Sequence, residues 1–291
     1  MKDEVLDTYL EAGKIASRIL SRSLPLVRAG APFLGVVEEV EALVTGEGAG
    51  LAFPLNLSLN EAAAHDTASE GDDRIFRAGD VVKMDLGVHL EGYIADTAGT
   101  VDLGENAPLL RASRAALEKA IALVRPGVST GDLGAAIQAE IEALGFRPVA
   151  NLTGHGLGRY EIHTPPTVPN IRVSGGAVLK EGMVFAIEPF ASTGTGFVSD
   201  GPRVQIFQQV LERPARLPAA KRILEQVKDR HGLPFARRWL TGERLEISLS
   251  GLVRSGQLHA YPVLRDVPGS LVSQAEHTVI VTGDGCIVST R

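Results

Sequence analysis

Val81-Val82-Lys83-Met84-Asp85-Leu86-Gly87 and Tyr93-Ile94-Ala95-Asp96-Thr97-Ala98 form the stretch that decides the fold. Both runs are rich in β-branched and apolar residues, which predicts strands over 80–88 and 93–102. His89-Leu90-Glu91-Gly92 between them reads as the turn of a hairpin. Each strand sets one aspartate among apolar neighbours. A turn centred between Leu90 and Glu91 makes Asp85 and Asp96 direct cross-strand neighbours, about 4.5–5.5 Å apart at Cβ. Two carboxylates at that separation repel unless a cation lies between them. A one-residue slip in register puts them on opposite faces and ruins the arrangement. The pair therefore predicts the floor of a site for two divalent ions; the alternative is two exposed strand aspartates.

Two more acids sit in similar surroundings. Glu188 lies in Met183-Val184-Phe185-Ala186-Ile187-Glu188-Pro189, and Glu276 heads Glu276-His277-Thr278-Val279-Ile280-Val281. Residues 182–191 and 276–289 read as strands. An isolated buried carboxylate costs several kcal/mol and takes up a proton unless a cation compensates it. Four such acids, with few Lys or Arg in the same apolar contexts, point to a shared cation. Histidines add donors. His155 is flanked by glycines in Thr153-Gly154-His155-Gly156-Leu157-Gly158, and His163 follows eight residues later. His65 follows Ala62-Ala63-Ala64. His89, His231, His259 and His277 have no comparable setting and read as surface or local structural residues. The Gly154–Gly158 run lacks the Lys-Ser/Thr ending of a phosphate loop and the acidic partner of a dinucleotide fingerprint.

The 291 residues carry a net charge of −6, with 44% hydrophobic and 22% charged residues, the balance of a soluble globular protein. Global charge gives no argument for a nucleic-acid binder. No apolar run is long enough to span a membrane, and the N-terminus is not a secretory signal. The single cysteine, Cys286, excludes an intramolecular disulfide and any multi-thiolate zinc site, and fits a reducing cytoplasm.

The first half contains an internal echo. Leu26-Val27-Arg28-Ala29-Gly30 returns as Leu123-Val124-Arg125-Pro126-Gly127, and Glu39-Val40-Glu41-Ala42-Leu43 returns as Glu140-Ile141-Glu142-Ala143-Leu144. Each copy reads as helix, turn, helix, then strands, which predicts a pseudo-symmetric domain with the cleft between its halves. Apolar spacing predicts helices over 5–20, 33–44 and 131–145, the last with Ser129 and Thr130 as candidate caps. Arg203 to Arg244 holds ten Lys or Arg against four Asp or Glu, with a helix-like run from Ala219 to Arg230. That segment reads as a mainly helical insertion. Its charge is either a solvated surface or an attraction for an anionic partner such as ribosomal RNA.

Together these residues resemble the methionine aminopeptidases, in the short, archaeal-like form of the type 2 branch. The resemblance runs along essentially the whole chain. It is carried by Ala52-Phe53-Pro54-Leu55-Asn56-Leu57-Ser58, Glu61 through His65, both strands of the hairpin, Gly154-His155-Gly156, Ile162-His163, Ala186-Ile187-Glu188-Pro189 and Glu276-His277-Thr278. The insertion, with Leu233-Pro234-Phe235-Ala236-Arg237-Arg238-Trp239-Leu240, looks like the type 2 hallmark. After His65 the chain reads Asp66-Thr67-Ala68, where relatives more often carry an aromatic residue followed by Thr-Pro.

The resemblance implies an α+β, pita-bread (creatinase/aminopeptidase-like) fold: a catalytic domain over 1–202 and 264–291, and a mainly helical insertion over 203–263. It implies two divalent ions (Co, Mn, Fe or Zn) held by Asp85, Asp96, His155, Glu188 and Glu276. Glu188 would shuttle protons, and His65 and His163 would contact substrate and steady the intermediate or its departing nitrogen. Phe53, Ile162 and Phe190 would form the methionine pocket. The implied activity is removal of the initiator methionine before a small second residue, by water activated between the ions, on N-terminal Met peptides and nascent chains. The ribosome is a candidate partner, and a cytoplasmic monomer is the expected state. Two rival readings are an Xaa-Pro aminopeptidase or dipeptidase on the same fold, and a non-catalytic binding module of that fold.

Overall fold

The computed structural model describes residues 1–291. Two helix pairs each back a sheet. In the first half, α1 (Asp3–Ser23) and α2 (Phe33–Gly46) pack against the antiparallel hairpin Val81–Leu90 and Tyr93–Asp102. Ile15, Ile19, Phe33, Val37, Leu57, Met84 and Leu86 fill the space between them. In the second half, α3 (Ala107–Ile121) and α4 (Thr130–Ala143) pack against a sheet that contains Thr153–Gly158, Glu161–Pro169, Val184–Ile187 and His277–Val281. The helix α4 opens on a capping box: the Ser129 hydroxyl accepts from Asp132 N–H at 3.1 Å, and the Asp132 carboxylate accepts from Ser129 N–H at 3.1 Å.

The echo in the sequence becomes an echo in hydrogen bonding. Gly30 N–H donates to Phe76 O at 2.8 Å, and Gly127 N–H to Leu179 O at 3.0 Å. Three residues on, Phe33 N–H donates to Arg74 O and Thr130 N–H to Ala177 O, both at 2.9 Å. The same turn thus starts the second helix of each half.

The hairpin register differs from the expectation by two residues. Its loop is Glu91-Gly92 alone, closed by the Leu90–Tyr93 pair, and both loop residues have positive φ, 50° and 91°. Such two-residue loops match the natural twist of paired strands. Asp96 therefore faces Gly87, and Asp85 faces Ala98. A shift of two keeps parity, so the aspartates still share a face as diagonal neighbours.

The segment 203–263 joins its helices to a strand pair. It begins and ends inside a strand pair, Ser199–Gln209 with Leu258–Arg265, and the latter also pairs with Ala62–Ala64. Two helices, α5 (Pro218–Val227) and α6 (Leu245–Arg254), pack on that pair around Ile223, Phe235, Leu249 and Leu252. Polar and apolar residues alternate too briefly in Arg203-Val204-Gln205-Ile206 for the strand to stand out in sequence.

Candidate metal centre

The two halves meet strand to strand. Ala98 and Glu276 pair through their backbones, with Glu276 N–H donating to Ala98 O at 3.1 Å. The Thr278 hydroxyl donates to Asp96 O and accepts from Asp96 N–H. That seam brings Asp96 and Glu276 together, and the neighbouring strand Thr153–Gly158 delivers His155. Ligand atoms of Asp96, His155 and Glu276 all lie within 4.8 Å of one another. His155 Nε2 is 3.7 Å from Asp96 Oδ2 and 3.4 Å from Glu188 Oε1. Glu188 comes directly after the strand Val184–Ile187. Asp85 joins through the amide of Gln274, whose Nε2 donates to Asp85 Oδ2 and Glu276 Oε2, each at 3.1 Å.

The glycines beside His155 serve close packing. A Cβ on Gly156 would stand 2.1 Å from Pro165 O, and one on Gly154 would stand 2.3 Å from Ala186 O. Any side chain there pushes the His155 strand out of its sheet.

All five candidate donors border one cavity of about 220 Å³, in which Asp96 and Glu276 are each 2% exposed. Burial raises all four carboxyls above their ordinary values, Asp85 to about 6. Mutual repulsion among the carboxylates adds to the rise at Asp96, Glu188 and Glu276. The same burial lowers the His155 imidazole, favouring the neutral, ligating form. Three oxygens bordering the cavity, Asp85 Oδ1, Asp96 Oδ1 and Asn56 Oδ1, are buried with no hydrogen-bond partner. Buried acceptors of this kind are rare unless something fills the space. A divalent cation satisfies the carboxylate pair and removes the repulsion, so the donor set fits a metal.

His65 and His163 border the same cavity. Both hold left-handed backbone, φ 65° and 61°, a strained conformation for residues with a Cβ. Burial lowers each imidazole to about 4, so both are neutral near pH 7. His65 Nδ1 lies 3.3 Å from Pro262 O. A carbonyl only accepts, so that nitrogen carries the proton and Nε2 keeps its lone pair.

Phe53 and Ile162 line the cavity as expected of pocket walls. Phe190 does not. It is 1% exposed within a separate core of Ala63, Val149, Val198 and Val272. It heads the strand Phe190–Ser192 on the face turned toward that core, away from the donors.

Sequence reading missed four residues of the site. Asn56 sits across from Asp85 in the strand register. Gln274 bridges two carboxylates. Tyr261 lines the cavity, with its ring 5.1 Å from His65 and 6.0 Å from His163, and its hydroxyl donates to Gln208. His259, set aside as a surface residue, is exposed but stacks edge-on against Tyr261 at 4.6 Å. Gln274 was within reach: it lies two residues before Glu276, on the same strand face.

The model of metallopeptidase family M24 matches residues 7–214. A methionine aminopeptidase of Archaeoglobus fulgidus is 46% identical over the full length of both chains. A solved methionine aminopeptidase from Thermotoga maritima is 25% identical with a TM-score of 0.73, covering 100% of this chain and 98% of that one. The prolidase of Pyrococcus furiosus, 20% identical, shares the fold with a TM-score of 0.67, and the match covers 100% of this chain but 64% of the prolidase. Buried carboxylates converging from both halves, the cavity they border and the end-to-end likeness to the archaeal enzyme lead to one assignment: the chain belongs to metallopeptidase family M24, in its methionine aminopeptidase branch.

Proposed function

We propose that this protein removes the N-terminal methionine from peptides and nascent proteins whose second residue is small. The observation that carries the reading is a carboxylate–histidine cluster at the floor of a half-open cavity that has apolar residues, Phe53 and Ile162, in its wall. Phe53 and Ile162 suit an unbranched apolar side chain, and the small volume restricts the size of the second residue. A chain start brings an α-ammonium to a cluster rich in carboxylates, which explains action from the end of a chain.

Asp85, Asp96, His155, Glu188 and Glu276 would hold two divalent ions, and their oxygen-rich set suits Co, Mn or Fe. Ions bound there supply Lewis acidity, polarising a carbonyl and acidifying water. The raised Glu188 carboxyl is suited to take a proton on one oxygen and pass it to the leaving nitrogen. The bare Nε2 of His65 accepts a hydrogen bond from a peptide N–H. Neutral His163 offers either a donor or an acceptor to the carbonyl oxygen.

The deciding experiment is hydrolysis of Met-Ala-Ser against an Xaa-Pro peptide by metal-reconstituted protein. Release of methionine from the first alone supports the reading, and turnover of the second alone sinks it. The basic insertion gives little support to a ribosomal contact. Arg203, Arg230, Arg237 and Arg238 are bound internally to Asp72, Leu51 O, Glu246 and Glu41, leaving six of that segment's ten cations against its four acids. No helix is long and apolar enough to cross a membrane. A monomer is the state we propose, checked by light scattering.

A further inference from the structure

We propose that Arg238 and Arg203 of the insertion are positioning residues for His65: they clamp the segment that comes after it and so fix how its imidazole enters the cavity. The inference rests on the aminopeptidase reading and deepens it.

His65 holds a left-handed backbone. For a residue with a Cβ, that conformation lasts only where the surroundings over-determine it. Upstream, the strand Ala62–Ala64 is paired with Leu258–Arg265 at the end of the insertion. Downstream, Thr67 and Ala68 are fully buried and gripped by three guanidinium groups, two of them from the insertion and the third that of Arg74, whose Nη2 donates to Thr67 O at 3.3 Å. Arg238 Nη1 donates to Thr67 Oγ1 at 3.1 Å and to Ala68 O at 3.2 Å. Arg203 Nη2 donates to Thr67 O at 3.2 Å and to Asp72 Oδ2 at 2.6 Å. The Thr67 hydroxyl in turn donates to Leu55 O at 2.7 Å.

The clamp is anchored behind. Arg238 Nη2 donates to Glu41 Oε1 on helix α2, Leu55 N–H donates to the same oxygen at 3.2 Å, and Trp239 Nε1 donates to Glu41 Oε2 at 3.0 Å. The Arg238 side chain is 6% exposed and that of Glu41 11%. A buried ion pair is a poor way to gain stability, because desolvation consumes most of the attraction, and apolar groups of similar volume often serve as well. What a planar guanidinium gives instead is direction. Here its fork ties Glu41 on helix α2, which also holds Leu55 N–H, to Thr67 and Ala68. His65 is thus fixed from both sides by the insertion: by the clamp through the backbone, and by Pro262 O and the Tyr261 ring through the imidazole.

The test compares full-length, metal-reconstituted wild type with the paired variant Glu41→Leu/Arg238→Met, which removes both charges together. The measurements are kcat and KM on Met-Ala-Ser, metal content, the unfolding midpoint, and the ¹⁵N shifts of the His65 ring in metal-free protein. The expected result is a fall in kcat of about ten- to hundredfold. KM and metal content stay near wild type, the midpoint falls because Leu55 N–H and Trp239 Nε1 lose their acceptor, and the His65 nitrogens move toward a mixture of tautomers. Arg238→Lys recovers part of the rate. An unchanged kcat in a folded, metal-loaded variant overturns the proposal. So does a loss of rate that merely tracks lost metal. If the paired variant does not fold, Thr67→Val removes only the hydroxyl beneath Arg238. A smaller fall in kcat with the same His65 signature supports the clamp, and wild-type behaviour overturns it. His65→Ala is measured alongside: full activity there overturns the role given to His65 itself, separately from the clamp.

Discussion

Asp96 and Thr278, 182 residues apart in the chain, exchange two hydrogen bonds of 2.8 Å, the threonine hydroxyl accepting from Asp96 N–H and donating to Asp96 O. Four residues along the seam, Thr100 repeats the device in reverse: its hydroxyl donates to Gln274 O at 2.6 Å and accepts from Gln274 N–H at 2.9 Å. Between them lies the backbone pair of Ala98 and Glu276. The seam therefore fixes Asp96 against Glu276 through main chain, whatever occupies the space between their carboxylates.

That fixed pairing sets the behaviour of Asp96→Asn. Metal uptake and hydrolysis of Met-Ala-Ser fall together, by more than about 100-fold, since even residues behind the ligands are worth ten- to hundredfold. The metal-free variant is more stable than metal-free wild type, by on the order of 1 kcal/mol, because one member of a mutually repelling buried cluster is neutral. Calorimetric metal titration and thermal melts check both halves. Near-normal hydrolysis by this variant would sink the assignment of the site.

Gln274→Leu tests the amide bridge. Losing a donor shared by Asp85 and Glu276 frees both carboxylates to rotate. Metal affinity drops by about 10–100-fold, and turnover returns at high metal concentration. An unchanged dissociation constant would show that the bridge is incidental.

Lys83 offers a pH test. It is 1% exposed, its ammonium donates to Asn60 O at 2.8 Å, and burial lowers its pKa to about 7. Its folded value lies below its unfolded one of about 10.4. The neutral amine therefore favours folding only above the unfolded value, and that contribution disappears as pH falls through about 7. Lys83→Met stabilises metal-free protein more at pH 6 than at pH 9.5, by on the order of 1–3 kcal/mol. Asn60 O keeps a partner in Val272 N–H, so the substitution leaves no orphan behind. Equal effects at the two pH values count against a buried, desolvated amine.

Gly156→Ala probes the packing that presents His155. Its Cβ would overlap Pro165 O, so strands must part, at a cost of about 2–4 kcal/mol. Denaturant melts report the loss, and metal affinity falls with it because His155 moves. A variant as stable as wild type contradicts the close approach.

Much of the site was legible in sequence because burial of charge is written locally. Asp85, Asp96, Glu188 and Glu276 each stand among residues that belong in a core, and that contrast survives without coordinates. The hairpin survived a misplaced turn because parity, not the exact partner, decides which face a side chain takes. What could not be read depends on facing. Phe190 and Phe53 look alike in sequence, yet Phe53 sits in a bend and lines the cavity, whereas Phe190 heads a strand and packs in a separate core. Tyr261 and Asn56 reach the site through pairings with distant strands, and nothing in their own neighbours announces it.

The insertion is sewn into the cavity at both of its ends. Ser199–Gln209 supplies Ile206 and Leu258–Arg265 supplies Tyr261, both cavity walls, while helices α5 and α6 ride on the same strand pair. Excising it would leave a chamber with a missing side rather than a trimmed enzyme. By the same geometry, the outer helices buttress that side of the chamber from behind, so the core they share with the strand pair is also the backing of the wall that holds Ile206 and Tyr261.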